Sequence, residues 1–115
     1  MNQDRFSTLY GLLIRLTRED KIIWSHISGR YVCWRNDCKD EISIELYTER
    51  VADLPVKYMR LTVRHAQELI ADETKCIGGD AYAPWKELLD VVQGQTKARH
   101  RGFFTALLDD LNSIE

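Results

Sequence analysis

The sequence predicts an α+β protein. The expected architecture is a two-layer sandwich with an N-terminal helix, a four- to five-stranded antiparallel meander and a long or broken C-terminal helix. Three observations predict it. Apolar residues recur at helical spacing from Asn2 to Arg18, switch to alternation through the middle third, and return to a helical stripe from Trp85 onward. A sheet with one apolar face must be covered, and helices segregated to that face are the simplest cover.

In the first helix Phe6, Leu9, Tyr10, Leu13 and Leu16 share one face, and Asp4 is placed to cap its start. Gly11 costs up to about 1 kcal/mol relative to alanine there, which suggests a close approach to a neighbouring element. "KIIWSHIS" and "RYVCWRN" are rich in β-branched and aromatic residues, and Ser28-Gly29 between them reads as a hairpin turn. In "EISIELYT", Ile42, Ile44 and Leu46 alternate with Ser43, Glu45 and Tyr47, as in a strand with one buried face. The polar residues and proline between Glu49 and Pro55 indicate a loop. "VKYMRLTVR" then places Met59, Leu61 and Val63 opposite Tyr58, Arg60, Thr62 and Arg64, a fourth strand.

"AQELIADETK" has a helix-like composition, but a turn at Ala66-Gln67 would let residues 66–75 continue the meander as a fifth short strand, and that is the reading adopted. In "GGDAYAPWKELLDVV" a Gly-Gly break, Asp80 as cap and Pro84 in the first turn announce the last helix. Its stripe runs from Trp85, Leu88, Leu89 and Val92 through Thr96 and Arg99 to Phe103, Leu107, Leu111 and Ile114. One long helix satisfies this phase, as do two collinear helices jointed near Gly94 or Gly102. There are no internal repeats and no linker, so residues 1–115 form a single domain.

At 115 residues, 44% hydrophobic and 30% charged, the chain can remove roughly two-thirds of its unfolded surface from water without staples. A formal net charge of −2 excludes the global positive field that draws proteins to nucleic acid or anionic membranes. The apolar run Leu12–Ile14 is too short, and Arg15 and Arg18 too close, for a signal peptide or membrane span. A cytoplasmic location without a membrane partner is expected. The three cysteines are then reduced thiols rather than a disulfide framework.

Cys33 and Cys38, in "YVCWRNDC", raise the question of metal binding or catalysis. A structural zinc site needs four soft or imidazole ligands. Only one cysteine pair exists, Cys76 stands alone, and His26, His65 and His100 are scattered, which leaves Cys33, Cys38, His26 and Cys76 as the one combination to consider. A catalytic thiol needs a base within reach and a pocket that lowers its pKa, and no pattern supplies either. Packing of Cys33 in a strand and placement of Cys38 near a turn is the expected arrangement. The glycines of "CIGGDAYAPW" lack the patterns of nucleotide-binding loops, and no hydrolase, metalloprotease or calcium-loop motif occurs. No catalytic residue, cofactor or metal ligand is therefore assigned, and the chain is expected not to be an enzyme.

Two charged clusters remain. Asp37, Asp40, Glu41, Glu45 and Glu49 gather over the middle strands; with Glu45, Tyr47 and Glu49 on one exposed face they would form a negative stripe able to dock a basic partner. Trp34 and Tyr58 would supply aromatic anchors beside it. Near the C-terminus Lys97, Arg99, His100 and Arg101 are the best phosphate-binding signal, although basic residues also complement a helix C-terminus.

The order of "KIIW", "EISIEL", "YMRLTV" and "WKELLDVVQGQTKARHRGFFTALLDDL" resembles small bacterial α+β proteins in which a Lys-x-x-Trp segment leads into a meander that a helix closes. The resemblance spans nearly the whole chain but consists of hydrophobic spacings. It implies the fold and transfers no functional residue. The chain departs from that pattern in having "HAQE" where an Asp/Asn-Gly turn is expected. The functional expectation is a noncatalytic protein-binding domain of the immunity, antitoxin or inhibitor kind, using the acidic and aromatic sheet face against another protein. The alternative is a nucleic-acid-binding accessory protein using the basic cluster 97–101, as a homodimer that doubles the patch.

Overall fold

The computed structural model describes residues 2–77 and 83–114, with residues 2–4 and 83 described by backbone alone. Helix α1 (Asn2–Arg18) is followed by strands β1 (Ser25–Ile27), β2 (Arg30–Arg35), β3 (Asp40–Val51), β4 (Leu54–His65) and β5 (Glu68–Cys76), then by helix α2 (Ala83–Asn112). The strands form one antiparallel sheet in the order β1-β2-β3-β4-β5, so the fifth strand is present and the α+β meander is complete. The capping roles expected of the Asp4 and Asp80 side chains, and the Gly78-Gly79 break, lie outside what is described. Among the described residues no helix is long and apolar enough to cross a membrane.

Register decides which face is buried. Tyr31 pairs with Ile44 and Ile44 with Leu61; Cys33 pairs with Ile42 and Leu46 with Met59. These residues share one parity, and the core draws Tyr31, Cys33, Ile44, Met59 and Leu61 from it. Both helices cover this inner face: Tyr10, Leu13 and Ile14 of α1, and Trp85, Leu88, Leu89 and Val92 of α2, complete the core. The Tyr10 ring meets Trp85 edge to face at 5.0 Å, and its hydroxyl donates to Glu73 Oε2 at 3.0 Å, joining α1 to α2 and to the far strand.

Three of the four hairpin turns hold two residues, and both have positive φ: Ser28 and Gly29, Ala52 and Asp53, Ala66 and Gln67. That backbone matches the twist of the flanking strands, which is why it recurs here although only one of the six residues is glycine. The loop expected between Glu49 and Pro55 is therefore a correction: β3 and β4 continue through it to a tight turn at Ala52-Asp53. Pro55 is tolerated because the Arg50–Pro55 pair is next to the closing pair Val51–Leu54, where the ladder asks for no proline N–H. Among the described residues no strand pairs with its other side, since the β5 register starts at Tyr58. Asn36, Asp37 and Cys38 also have positive φ in the β2–β3 turn, so Cys38 lies inside that turn rather than flanking it.

A second correction concerns "KIIW". No strand begins at Lys21; the strand starts at Ser25. α1 ends in a Schellman arrangement, with Asp20 at φ 55°, Lys21 N–H donating to the Leu16 carbonyl and Asp20 N–H to the Thr17 carbonyl. Ile22 and Trp24 are then buried, and the backbone groups around them are satisfied by α2 instead of a neighbouring strand. Gln95 Oε1 accepts from Trp24 N–H at 2.8 Å, and Gln95 Nε2 donates to the Ile22 carbonyl at 2.8 Å. Arg99 donates to the Trp24 carbonyl at 2.7 Å, and the Trp24 indole N–H donates to Thr17 Oγ1 at 2.9 Å.

α2 is one continuous helix through Gly94 and Gly102, neither of which is a joint. A Cβ at Gly11, Gly94 or Gly102 would meet nothing within 4 Å, so Gly11 serves no close approach. At 1.5 Å per residue α2 is about 45 Å long. From Lys97 to Ile114 every residue is exposed, and the last side chain linking the helix to the body among those described is Arg99.

Two outcomes follow from this packing. Gln95→Ala leaves Trp24 N–H and the Ile22 carbonyl without their partner and lowers unfolding free energy by about 2 kcal/mol, read from urea denaturation. Replacing Ala66-Gln67 by Asn-Gly relieves left-handed strain in the β4–β5 turn and raises stability by about 1 kcal/mol in the same assay.

Candidate functional site

The outer face of the sheet bears Arg30, Val32 and Trp34 of β2, Glu41, Ser43, Glu45, Tyr47 and Glu49 of β3, and Tyr58, Arg60, Thr62 and Arg64 of β4, by the alternation that sends their neighbours inward. No described helix covers it. Its centre is closed by small groups: Ser43 and Thr62 are buried and their hydroxyls lie 2.6 Å apart in a mutual hydrogen bond.

The sheet divides the predicted partner-binding residues. Glu45, Tyr47, Glu49 and Tyr58 occupy one end of the outer face, where the Tyr47 and Tyr58 rings stack at 5.4 Å across the β3–β4 ladder. Glu45, Tyr47 and Glu49 line a shallow depression of about 570 Å³ with Arg60, Asp72 and Thr74. Trp34 and Glu41 stand at the other end, with the indole N–H donating to Glu41 Oε1 at 3.3 Å. Eight residues of strand, about 26 Å, separate Glu41 from Glu49. Asp37 is in the β2–β3 turn, and Asp40 has the parity of the inner face.

The strip is less uniformly negative than the linear sequence suggests, because register interleaves arginines. Glu45 is opposite both Arg30 and Arg60, and Glu41 is opposite Arg64, 3.9 Å away. Arg60 is held by Asp72 through paired contacts of 2.9 and 2.6 Å. That hydrogen bonding holds the Asp72 carboxyl below the usual carboxylate range and the Arg60 guanidinium above its ordinary value. At the opposite end His65 Nδ1 lies 2.6 Å from Asp40 Oδ1, Asn36 Nδ2 donates to Asp40 Oδ2, and the Asp40 carboxyl is likewise lowered, first by His65. Among the described residues Glu45 and Glu49 form no ion pair.

The thiols do not converge. Cys33 is buried on the inner face and burial pushes its pKa up, whereas Cys38 and Cys76 are exposed. His26 stacks on Tyr31 at 4.4 Å. Among the described residues no three histidine, cysteine or carboxylate side chains are grouped to hold a metal. In the basic cluster Lys97, His100 and Arg101 are exposed, but Arg99 is engaged at the Trp24 carbonyl. Two features escaped the sequence reading. One is an open apolar groove of about 490 Å³ beside α1, lined by Phe6, Leu9, Ile42, Val63 and Ile70; its signal was Ile70, left unpaired by a bulge in β5. The other is that the apolar stripe of α2, in phase with the buried Trp85, is left uncovered beyond Arg99.

Comparison with protein-family models, with curated proteins and with solved structures finds no match for this chain.

The lowered carboxyls fix a pH dependence. Asp40 and Asp72 have folded pKa values below their unfolded ones, so their contribution to stability is present above the ordinary aspartate range and is lost as pH falls through the folded values. Urea midpoints should fall as pH drops below about 4, and Asp40→Asn with Asp72→Asn should flatten that slope while lowering the midpoint at neutral pH.

Proposed function

We propose that this chain is a noncatalytic protein-binding domain that engages another protein through the Tyr47–Tyr58 end of its outer sheet face. The observation that carries the reading is a stacked tyrosine pair beside two carboxylates, Glu45 and Glu49, with no ion-pair partner among the described residues, on a face no described helix covers. Tyrosines on a rigid sheet present large amphipathic area at small entropic cost, and unpaired carboxylates beside them select a basic counterpart and speed its approach. A domain of this kind blocks or carries its partner by complementarity and needs no catalytic group, as in immunity, antitoxin or inhibitor proteins. The lysine and arginines of 97–101 support phosphate binding less well, since Arg99 is already engaged and Asp109 and Asp110 follow on the same helix.

The test is affinity capture from the native host, followed by titration of the captured partner. Tyr47→Ala with Tyr58→Ala should weaken binding by roughly 30-fold. Glu45→Lys with Glu49→Lys should slow association at low salt, with the circular dichroism of the fold unchanged. Unchanged affinity in both double variants sinks this assignment. Binding to generic DNA or RNA that disappears in Lys97→Ala with Arg101→Ala replaces it with the nucleic-acid reading.

A further inference from the structure

The distal half of α2 carries Phe103, Phe104, Leu107, Leu108, Leu111 and Ile114 at spacings of one, three and four residues, which gathers them on one side of the helix. All six are exposed, Phe103 at 69% and Ile114 at 78%. Together they present roughly 600 Å² of apolar surface, the upper end of what a monomer ordinarily leaves in water. The stripe keeps the phase of Trp85, Leu88 and Val92, which are fully buried in the same helix. The helix outruns the body that covers its first half, and the covering function stops at Arg99.

We infer that this segment pairs with the same segment of a second copy of the chain, in antiparallel orientation. Two properties of the segment select that occupant. The first is area. Covering the stripe on both copies removes roughly 1,200 Å² of apolar surface, and the polar residues flanking it bring the total within the range of specific interfaces. The second is charge. Lys97, Arg99, His100 and Arg101 precede the stripe, Asp109 and Asp110 lie near its end, and among the described residues none of Lys97, Arg101, Asp109 and Asp110 forms an ion pair.

A parallel pair would set basic segment against basic segment. An antiparallel pair centred on Leu107 puts Phe103 of one copy level with Leu111 of the other, and turns the basic start of each stripe toward the acidic end of its partner along the helix axis. The opposed helix dipoles add to the same preference. The interface lies on the distal part of α2 and leaves the outer sheet face free, so the inference does not depend on the sheet-face reading.

The experiment is sedimentation equilibrium of the full chain, with unfolding monitored by circular dichroism as the control for folding. The chain should associate to a dimer with a dissociation constant on the order of micromolar. Leu107→Glu with Leu111→Glu should weaken association at least tenfold while leaving the core intact, because both side chains are exposed in the single copy. Lys97→Glu with Arg101→Glu makes the whole distal helix acidic and should weaken the dimer at low salt. A chain that stays monomeric at about 100 micromolar overturns the inference. So does a dimer that survives the paired leucine changes.

Discussion

The architecture depends on a polar clasp between α2 and the segment that joins α1 to the sheet. Six residues leave the first helix and reach the first strand without regular structure, and they carry two buried side chains, Ile22 and Trp24. Backbone groups in such a segment must find partners, because an orphaned buried amide costs more than an ordinary hydrogen bond gains. A single glutamine supplies both kinds. Gln95 accepts from Trp24 N–H, donates to the Ile22 carbonyl, and lies 3.2 Å from Asp20 Oδ1 and 3.4 Å from the Thr17 carbonyl. Arg99, one turn on, takes the Trp24 carbonyl, and Thr17 takes the indole. The clasp fixes the spacing of α1, α2 and β1 together, and the apolar core is assembled inside that frame.

Placing both helices on one face has a consequence for the other. The inner face is filled at its centre by Ile44, Leu61, Met59 and aromatic rings from the helices, which leaves the outer face, the groove beside α1 and the projecting end of α2 as the surfaces open to solvent. The outer face is closed at its centre by Ser43 and Thr62 and patterned at its ends by tyrosines and alternating charges. Cross-strand pairs of opposite sign stabilise a sheet, so the arginines opposite Glu41 and Glu45 contribute to register as well as to surface potential. Among the described outer-face carboxylates of β3, Glu49 alone faces no arginine, being opposite Val56.

Elements with a strong period were legible in the chain: the alternation of Ile42, Ile44 and Leu46 gave the central strand its buried face, and the stripe of Phe6, Tyr10 and Leu13 gave the first helix. What was not legible depended on partners distant in sequence. "KIIW" has strand composition, but its backbone is claimed by Gln95 and Arg99, more than seventy residues away. The turn at Ala52-Asp53 was hidden because alanine carries no turn signal and Pro55 normally breaks strands; only the register shows that its missing N–H is not needed. The acidic cluster was visible as composition, yet its division into two ends of a face, interleaved with Arg30, Arg60 and Arg64, is a property of pairing. Helical phase identified Phe103, Leu107 and Leu111 as one stripe with Trp85, but phase cannot report how far the covering layer extends.

That last gap has an energetic side. The thirteen residues from His100 to Asn112 are too few to hold a helix by propensity alone, and Gly102 among them costs about 1 kcal/mol. Their helix exists because the clasped half of α2 supplies the nucleus, so each added turn requires only propagation. Propagation without burial is nearly neutral, whereas each large apolar side chain removed from water contributes about 1.5–3 kcal/mol when fully buried. Formation of the distal helix and the covering of its stripe are consequently one coupled equilibrium: an occupant that covers Phe103 to Ile114 also selects the helical state that presents them. The clasp at Gln95 and Arg99 thereby acts twice, once in holding the core closed and once in setting the direction in which the uncovered stripe leaves it.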